Sequence, residues 1–166
     1  MKILIVGGVA GGATCAARSR RLSEDAEIIL IDRGPYVSFA NCGLPYYVGD
    51  VIQDEKNLFV ATPELFKNRF NIEVRLENEV TRVSTETRTV EIKELKTGRL
   101  YEETYDALVL SPGASPIKPP LPGIENDGIF VLRTIPDSRK IKKWIQKKNV
   151  KSAVIVGGGF IGLEMA

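Results

Sequence analysis

Two stretches of the sequence follow one plan, ILIVGGVAGGATCA at residues 3–16 and AVIVGGGFIGLEMA at residues 153–166. Each opens on a short apolar run, breaks at glycine and continues in helix-forming residues. An apolar run of that length, stopped by glycine, fits a buried strand rather than a helix. Strand, tight turn and helix in succession constrain the chain to the α/β class, with a parallel sheet covered by helices.

The second run fits the G-x-G-x-x-G fingerprint at Gly157, Gly159 and Gly162, after an expected strand Ala153–Val156. Its first glycine permits the tight turn, its second lets main chain approach a pyrophosphate, and its third lets helix pack on strand. The helix N-terminus supplies N–H groups and partial positive charge for phosphate. In the first run Gly7 and Gly12 hold the outer positions, but Val9 stands where the middle glycine belongs, flanked by Gly8 and Gly11. Asp32 ends the apolar run EIILID, twenty residues after Gly12, where a carboxylate can accept hydrogen bonds from a ribose. Two dinucleotide fingerprints in one chain suggest electron transfer between two cofactors, with a flavin and a nicotinamide as the natural pair. Read only as structure, both runs are glycine-rich turns.

AEIILIDR closes a β-α-β unit, and TPELFKNRF reads as a short helix with Thr62 as N-cap and Pro63 at its first position. Residues 72–105 alternate β-branched and polar side chains and read as antiparallel strands turning at Ser84–Arg88 and Thr97–Arg99. DALVLSPGA returns to a buried parallel-type strand. SPGASPIKPPLPG carries five prolines, which neither a helix nor a central strand accepts, so it is expected to be a connection. PDSRKIKKWIQKKN follows as an amphipathic helix with Ile141, Trp144 and Ile145 on one face and its lysines in water. We expect one domain over residues 1–113, a connection with a basic helix over 114–149, and the start of a second domain over 150–166. A strand-turn-helix with no second strand cannot bury its apolar face, so the chain is expected to be part of a longer protein.

Composition excludes several functions. Lysine and arginine number 23 against 21 acidic residues, and a net charge of +2 implies neither nucleic acid nor an anionic membrane as partner. There is no histidine, so a proton relay would need another residue type, and no metal is expected. Ile3–Val6 is too short for the apolar region of a secretory signal. Two cysteines, Cys15 and Cys42, form no disulfide framework and fit a reducing cytosol; a cytoplasmic protein is expected.

Cys42 lies in SFANCGLPYY, residues 38–47, among small and aromatic residues. Gly43, Leu44 and Pro45 suggest a turn into a short helix, where a thiol can become reactive. A structural cysteine is the other reading, although the stretch lacks helical or strand periodicity. Thr14, Arg18 and Arg21 share a face of the first helix, so two guanidiniums can meet an anion, or simply face solvent.

Taken together, VGGVAGG, SFANCGLPYY, LVLSPGASP and VIVGGGFIGLE resemble the FAD-dependent pyridine nucleotide-disulfide oxidoreductases over essentially the whole chain. The similarity is to the single-cysteine branch, which contains coenzyme A-disulfide reductases, NADH-dependent persulfide reductases and NADH oxidases. The resemblance implies a Rossmann-like FAD-binding domain with an antiparallel β insertion, followed by the start of a second Rossmann-like nucleotide-binding domain. It places FAD on Gly7, Gly8, Ala10, Gly11, Gly12 and Arg33, with Asp32 at the ribose, Val80 offering backbone to the adenine, and Ser111, Pro112 and Gly113 beside the flavin. It makes Cys42 the redox-active nucleophile and puts coenzyme A contacts at Thr14, Arg18, Arg21, Ser38 and Asn41. NADH or NADPH would lie on Gly157, Gly159 and Gly162, with Glu164 near its contact with the flavin. Two-cysteine relatives carry a first cysteine where this chain has Val37, so Cys42 has no local partner here. Its cycle would then run through a mixed disulfide with a small thiol, or through a sulfenic acid with oxygen as acceptor. A flavin-binding redox sensor is the alternative from another class. The resemblance also implies a homodimer in which tyrosines of the partner subunit's C-terminal domain assist the cysteine, and this stretch alone is expected to be inactive.

Overall fold

The computed structural model describes residues 1–166. They form two compact units, one of residues Met1–Phe39 with Phe59–Gly113, the other of Ala40–Leu58 with Ala114–Ala166. The expected linear division at residue 113 is therefore interrupted, because the segment carrying Cys42 groups with the later residues.

In the first unit β1 (Lys2–Val6) leads through a glycine turn into α1 (Gly11–Leu22) and returns as β2 (Glu27–Asp32). Helix α3 (Pro63–Phe70) precedes β3 (Glu73–Leu76), and β7 (Ala107–Leu110) comes last. The four strands make a parallel sheet in the order β3-β2-β1-β7, with Leu4 level with Ile29 and Leu108. A second, antiparallel sheet is a meander of β4 (Asn78–Ser84), β5 (Thr89–Glu94) and β6 (Leu100–Thr104).

The continuous apolar runs of β1 and β2 follow from burial on both faces. Ile3, Ile5, Ile28 and Leu30 point to one side and pack with Ala13 and Ala16 of α1 and Phe66 of α3. Leu4, Ile29 and Ile31 point to the other and pack against Val90 and Ile92 of the meander. The parallel sheet is thus a middle layer between helices and a second sheet.

Contrary to the expectation above, residues 72–105 do not all join the antiparallel sheet. β3 pairs parallel with β2 instead, with Leu30 opposite Val74. Glu77 marks the switch: it adopts a left-handed φ of 56°, its N–H donates to Gly34 O at 3.1 Å, and its carbonyl accepts from Leu95 N at 2.8 Å. Strand periodicity is the same in both sheets, so it cannot assign a strand to either.

Arg20, near the end of α1, spends its whole guanidinium on main-chain carbonyls. Nε donates to Phe70 O at 2.7 Å, Nη1 to Ser23 O at 3.1 Å and to Glu24 O, and Nη2 to Ala26 O at 2.6 Å and Asn71 O at 2.9 Å. One side chain thereby closes the C-terminal ends of both α1 and α3. On the opposite face of the parallel sheet Glu103 of β6 receives Lys2 Nζ and, at 2.6 Å, Arg75 Nη1, tying the two sheets together.

The second unit has a 3₁₀ turn (Asn41–Gly43), α2 (Leu44–Val48), another 3₁₀ turn (Glu55–Leu58), α4 (Ile135–Lys148) and the short α5 (Phe160–Glu164). No helix or strand forms between Leu110 and Ile135, where the prolines lie. α4 starts with a capping box, in which Thr134 Oγ1 accepts from Asp137 N at 3.3 Å and Asp137 Oδ2 accepts from Thr134 N at 2.9 Å. No helix is long and apolar enough to cross a membrane.

Two stability predictions follow from these contacts. Arg20→Met should cost about 2 kcal/mol in urea denaturation, and Arg20→Lys should recover less than half, because an ammonium cannot reproduce the fork. Burial pushes the Glu103 carboxyl up, but hydrogen bonds from Lys2 and Arg75 outweigh it and hold the group below its usual value of 4.5. That stabilisation is present above the unfolded carboxyl's pKa and is lost as pH falls through the lower folded value. Acid titration of stability should therefore be shallower in Glu103→Gln than in the parent.

Candidate functional site

The first unit brings its predicted residues together around main chain. Gly7 follows β1 at a φ of +94°, and a Cβ there would lie 2.0 Å from Ser111 O. A Cβ on Gly12 would lie 1.7 Å from Gly7 O. The end of β1, the first turn of α1 and the residue after β7 therefore meet with no side chain between them. Ser111 N donates to Val6 O at 2.7 Å, fixing the third of these segments in place.

Asp32 closes the turn from the next strand. Its Oδ2 accepts from Gly8 N at 2.6 Å and its Oδ1 from Gly34 N at 2.7 Å. The second bond is an Asx turn, a signal legible in Asp-Arg-Gly but not used above. Val9 is half-buried, and the turn forms without a glycine there because Gly7 and Gly8 carry the main-chain path. Arg33 reaches toward Glu79, with Nη1 3.9 Å from Oε1. Val80 packs its side chain against the cluster of Leu4, Ile29 and Ile31. Its strand, β4, is an edge strand, which leaves main-chain groups on the side away from β5.

α1 lacks the caps of the other long helices. Thr62 accepts from Leu65 N at 3.3 Å and Thr134 caps α4, whereas α1 has Ala10 at its N-cap, no side-chain cap and no acid in its first turn. Ala10 and Gly11 are exposed. The N–H groups of Gly11–Ala13 have no protein acceptor, and the positive end of the helix dipole opens at the exposed Ala10 and Gly11, an arrangement suited to a diphosphate. These residues fit the nucleotide end of a flavin cofactor.

Thr14, Arg18 and Arg21 all lie on the exposed face of α1. Arg21 Nε touches only its own helix, at Ala17 O (3.3 Å), and Arg18 has no hydrogen-bond or ion-pair partner in the structure. Ser38 is buried in a left-handed conformation, φ 47°. It donates its N–H to Gly8 O at 2.8 Å and accepts from Val60 N at 2.8 Å and Ala61 N at 3.2 Å. Nothing in the sequence announces that backbone role. Val37 is core, and a Cβ on Gly8 would meet its Cγ2 at 3.0 Å.

In the second unit Cys42 is an exposed free thiol at the centre of the 3₁₀ turn that runs into α2. Its N–H donates to Asn41 Oδ1 at 3.1 Å, so the asparagine side chain shapes the turn. Gly43 lies over Leu58, and a Cβ there would come within 2.9 Å of Leu58 Cδ2. Cys15 belongs to the first unit and contacts Ser19 Oγ at 3.9 Å on its own helix.

The second glycine run repeats the first turn but not its strand. Gly157 has a φ of +115°, and a Cβ on Gly162 would lie 2.0 Å from Gly157 O, the counterpart of Gly12 over Gly7. Gly159 is the N-cap of α5, and Glu164 is that helix's last residue and exposed. The expected strand Ala153–Val156 is not formed, and Val154 and Val156 are 90% and 95% exposed. No main chain takes up the hydrogen bonds of this segment, so it stays irregular despite its β propensity.

The chain is similar to several known proteins. The coenzyme A disulfide reductase of Staphylococcus haemolyticus is 40% identical over 164 residues, which are 99% of this chain and 37% of that protein. The crystal structure of reduced Bacillus anthracis CoADR-RHD superposes with a TM-score of 0.96 at 53% identity, over 99% of this chain and 30% of that one. The NAD-dependent persulfide reductase of A. fulgidus gives a TM-score of 0.93 at 38% identity, over 99% of this chain and 31% of that one. This chain thus spans about a third of the length of these relatives. The pyridine nucleotide-disulphide oxidoreductase family matches residues 1–166, and the chain belongs to it.

Proposed function

We propose that this chain is the cofactor-binding and thiol-bearing part of a flavoprotein reductase. In this reading electrons pass from NADH or NADPH to Cys42, and from there to a disulfide or persulfide of coenzyme A. The observation that carries it is Cys42, a free and exposed thiol on a built turn, with a buried valine where a second cysteine would stand. The resemblance to coenzyme A disulfide reductases supports the substrate class.

FAD, when bound, supplies the two-electron relay between nicotinamide and thiol. The first turn of α1 would hold its diphosphate, Asp32 its ribose, Val80 its adenine and Ser111–Gly113 its ring, with Arg33 a further contact to the cofactor. Asp32 already orients the turn through Gly8 N and Gly34 N, so its remaining lone pairs can accept from ribose hydroxyls. Gly157, Gly159, Gly162 and Glu164 would meet the nicotinamide cofactor.

The thiolate of Cys42 attacks one sulfur of the substrate disulfide, forming a Cys42–substrate disulfide and releasing the other half as a thiolate. Two electrons originating with the nicotinamide cleave that bond, and with one proton they free the second thiol and restore the Cys42 thiolate. Overall, one NAD(P)H and one proton convert one disulfide to two thiols. Arg18 and Arg21 would bind phosphates of coenzyme A beside Thr14, with Ser38 and Asn41 as further substrate contacts. The whole protein would act as a cytoplasmic homodimer, without nucleic acid or membrane as partner.

The test is turnover of the full-length protein with coenzyme A disulfide and NADH or NADPH, followed by intact mass and peptide mapping. We expect thiol release and a coenzyme A adduct on Cys42 that dithiothreitol removes, with at least ~100-fold loss of activity in Cys42→Ser. Rapid oxygen uptake with only oxygen added to Cys42 would replace this reading by an oxidase, and an unreactive Cys42 would overturn both. Arg18→Gln and Arg21→Gln should each raise KM for coenzyme A disulfide about tenfold at little changed kcat, the pattern of lost uniform binding. An unchanged KM would remove these residues from the substrate site.

A further inference from the structure

The turn that carries Cys42 has little stability of its own. α2 has five residues, far below the length at which an isolated helix persists in water. The segment 40–58 also includes Asp50 in a left-handed conformation, φ 60°. Beside its own buried residues and internal hydrogen bonds, one face of α4 grips it at two points.

At the first point Lys142 Nζ donates to Tyr47 O at 3.0 Å, pairs with Asp50 Oδ1 at 2.7 Å and lies 4.0 Å from the centroid of the Tyr47 ring. A cation is thus fixed on a carbonyl in the last turn of α2, with a carboxylate and an aromatic face as further partners. At the second point Arg139 grips Glu55 with both arms of its fork, Nε to Oε2 at 2.6 Å and Nη2 to Oε1. That pairing holds the Glu55 carboxyl below the usual carboxylate range.

Both grips are transmitted to the thiol through packed, short-range structure. Glu55 opens the 3₁₀ turn that ends at Leu58, which is fully buried beneath Gly43, and Leu58 O accepts from Ala40 N at 2.7 Å. Tyr47 lies one turn along α2 from Gly43. Cys42 stands between Ala40 and Gly43, so each path reaches its immediate neighbours. α4 is a firm base, with its capping box intact and Ile135 and Ser138 fully buried. The residues Lys140, Lys143 and Lys147 of the same helix have no ion-pair partner and serve as internal controls.

We propose that Arg139 and Lys142 are positioning residues for Cys42, setting the presentation of its thiol by clamping the 40–58 segment to α4 at Tyr47–Asp50 and at Glu55. The inference rests on the reading that Cys42 is the reacting group. The helix that reads in the sequence as a basic, solvated surface element thereby acquires a role in the chemistry.

The test compares the full-length protein with Arg139→Met/Lys142→Met, with the single variants Lys142→Arg and Glu55→Gln, and with Lys143→Met. Cys42 alkylation by iodoacetamide is followed across pH, beside kcat, KM and urea denaturation. We expect the double variant to shift the alkylation rate at least ~fivefold and to lower kcat about tenfold at unchanged KM for the nicotinamide cofactor. Lys142→Arg and Lys143→Met should stay within about twofold of the parent, and Glu55→Gln should move in the direction of the double variant. Unchanged alkylation and kcat in a folded double variant, or a lower denaturation midpoint as its only effect, would overturn the proposal. Should the double variant not fold, Glu55→Gln decides in the same way. Alkylation requires no substrate, so a parent that turns over no coenzyme A disulfide would defeat the functional reading while leaving this measurement decisive for the clamp.

Discussion

The carbonyl of Gly7 occupies the space that a side chain on Gly12 would need, and much of the first unit is arranged around that contact. It lets α1 start directly over the end of β1, so the apolar face of the helix meets Ile3 and Ile5 without an intervening loop. The same absence of side chains admits Ser111 from β7 on the other side of Gly7. Asp32 then ties β2 to the turn through Gly8. Four separate segments are held by main-chain contacts, which fixes their mutual geometry more tightly than apolar packing alone, since hydrogen bonds to main chain have narrow distance and angle ranges.

Much of this was legible because it is local. The runs KILIV and EIILID announce strands buried on both faces, ALVL announces a parallel strand that forms part-buried at the sheet edge, and Thr62-Pro63 announces a helix start. The limits of reading are equally physical. β3 and β4 share one alternating pattern, but only Glu77's left-handed turn separates them into different sheets. Arg20 is one of three arginines within four residues, and nothing in the spelling separates it from Arg18 and Arg21, although it alone is spent on five carbonyls. Such roles depend on residues about fifty positions away, Phe70 and Asn71, that no local pattern reports.

The thiol segment shows the same division. Its turn and short helix could be read from Cys-Gly-Leu-Pro, whereas its attachment to α4 could not, since Lys142 and Tyr47 are 95 residues apart. The basic helix looked self-sufficient because its apolar residues account for its periodicity. Its charged face is nevertheless divided, with Arg139 and Lys142 committed to the 40–58 segment and its neighbours left to water. Charge pattern on a helix records which residues can face solvent, and says nothing about which of them find a partner.

The two glycine turns differ in one respect that bears on how such a chain acquires its shape. The turn at Gly157–Gly162 has its geometry although the strand before it is unformed, and it closes over a separation of five residues. The sheet of the first unit needs partners as distant as Lys2 and Asp106, 104 residues apart. Closing the short loop costs far less chain entropy than closing the long one. Closing such a turn therefore requires no sheet partner, whereas the strand ends it directs are completed only by residues about a hundred positions away.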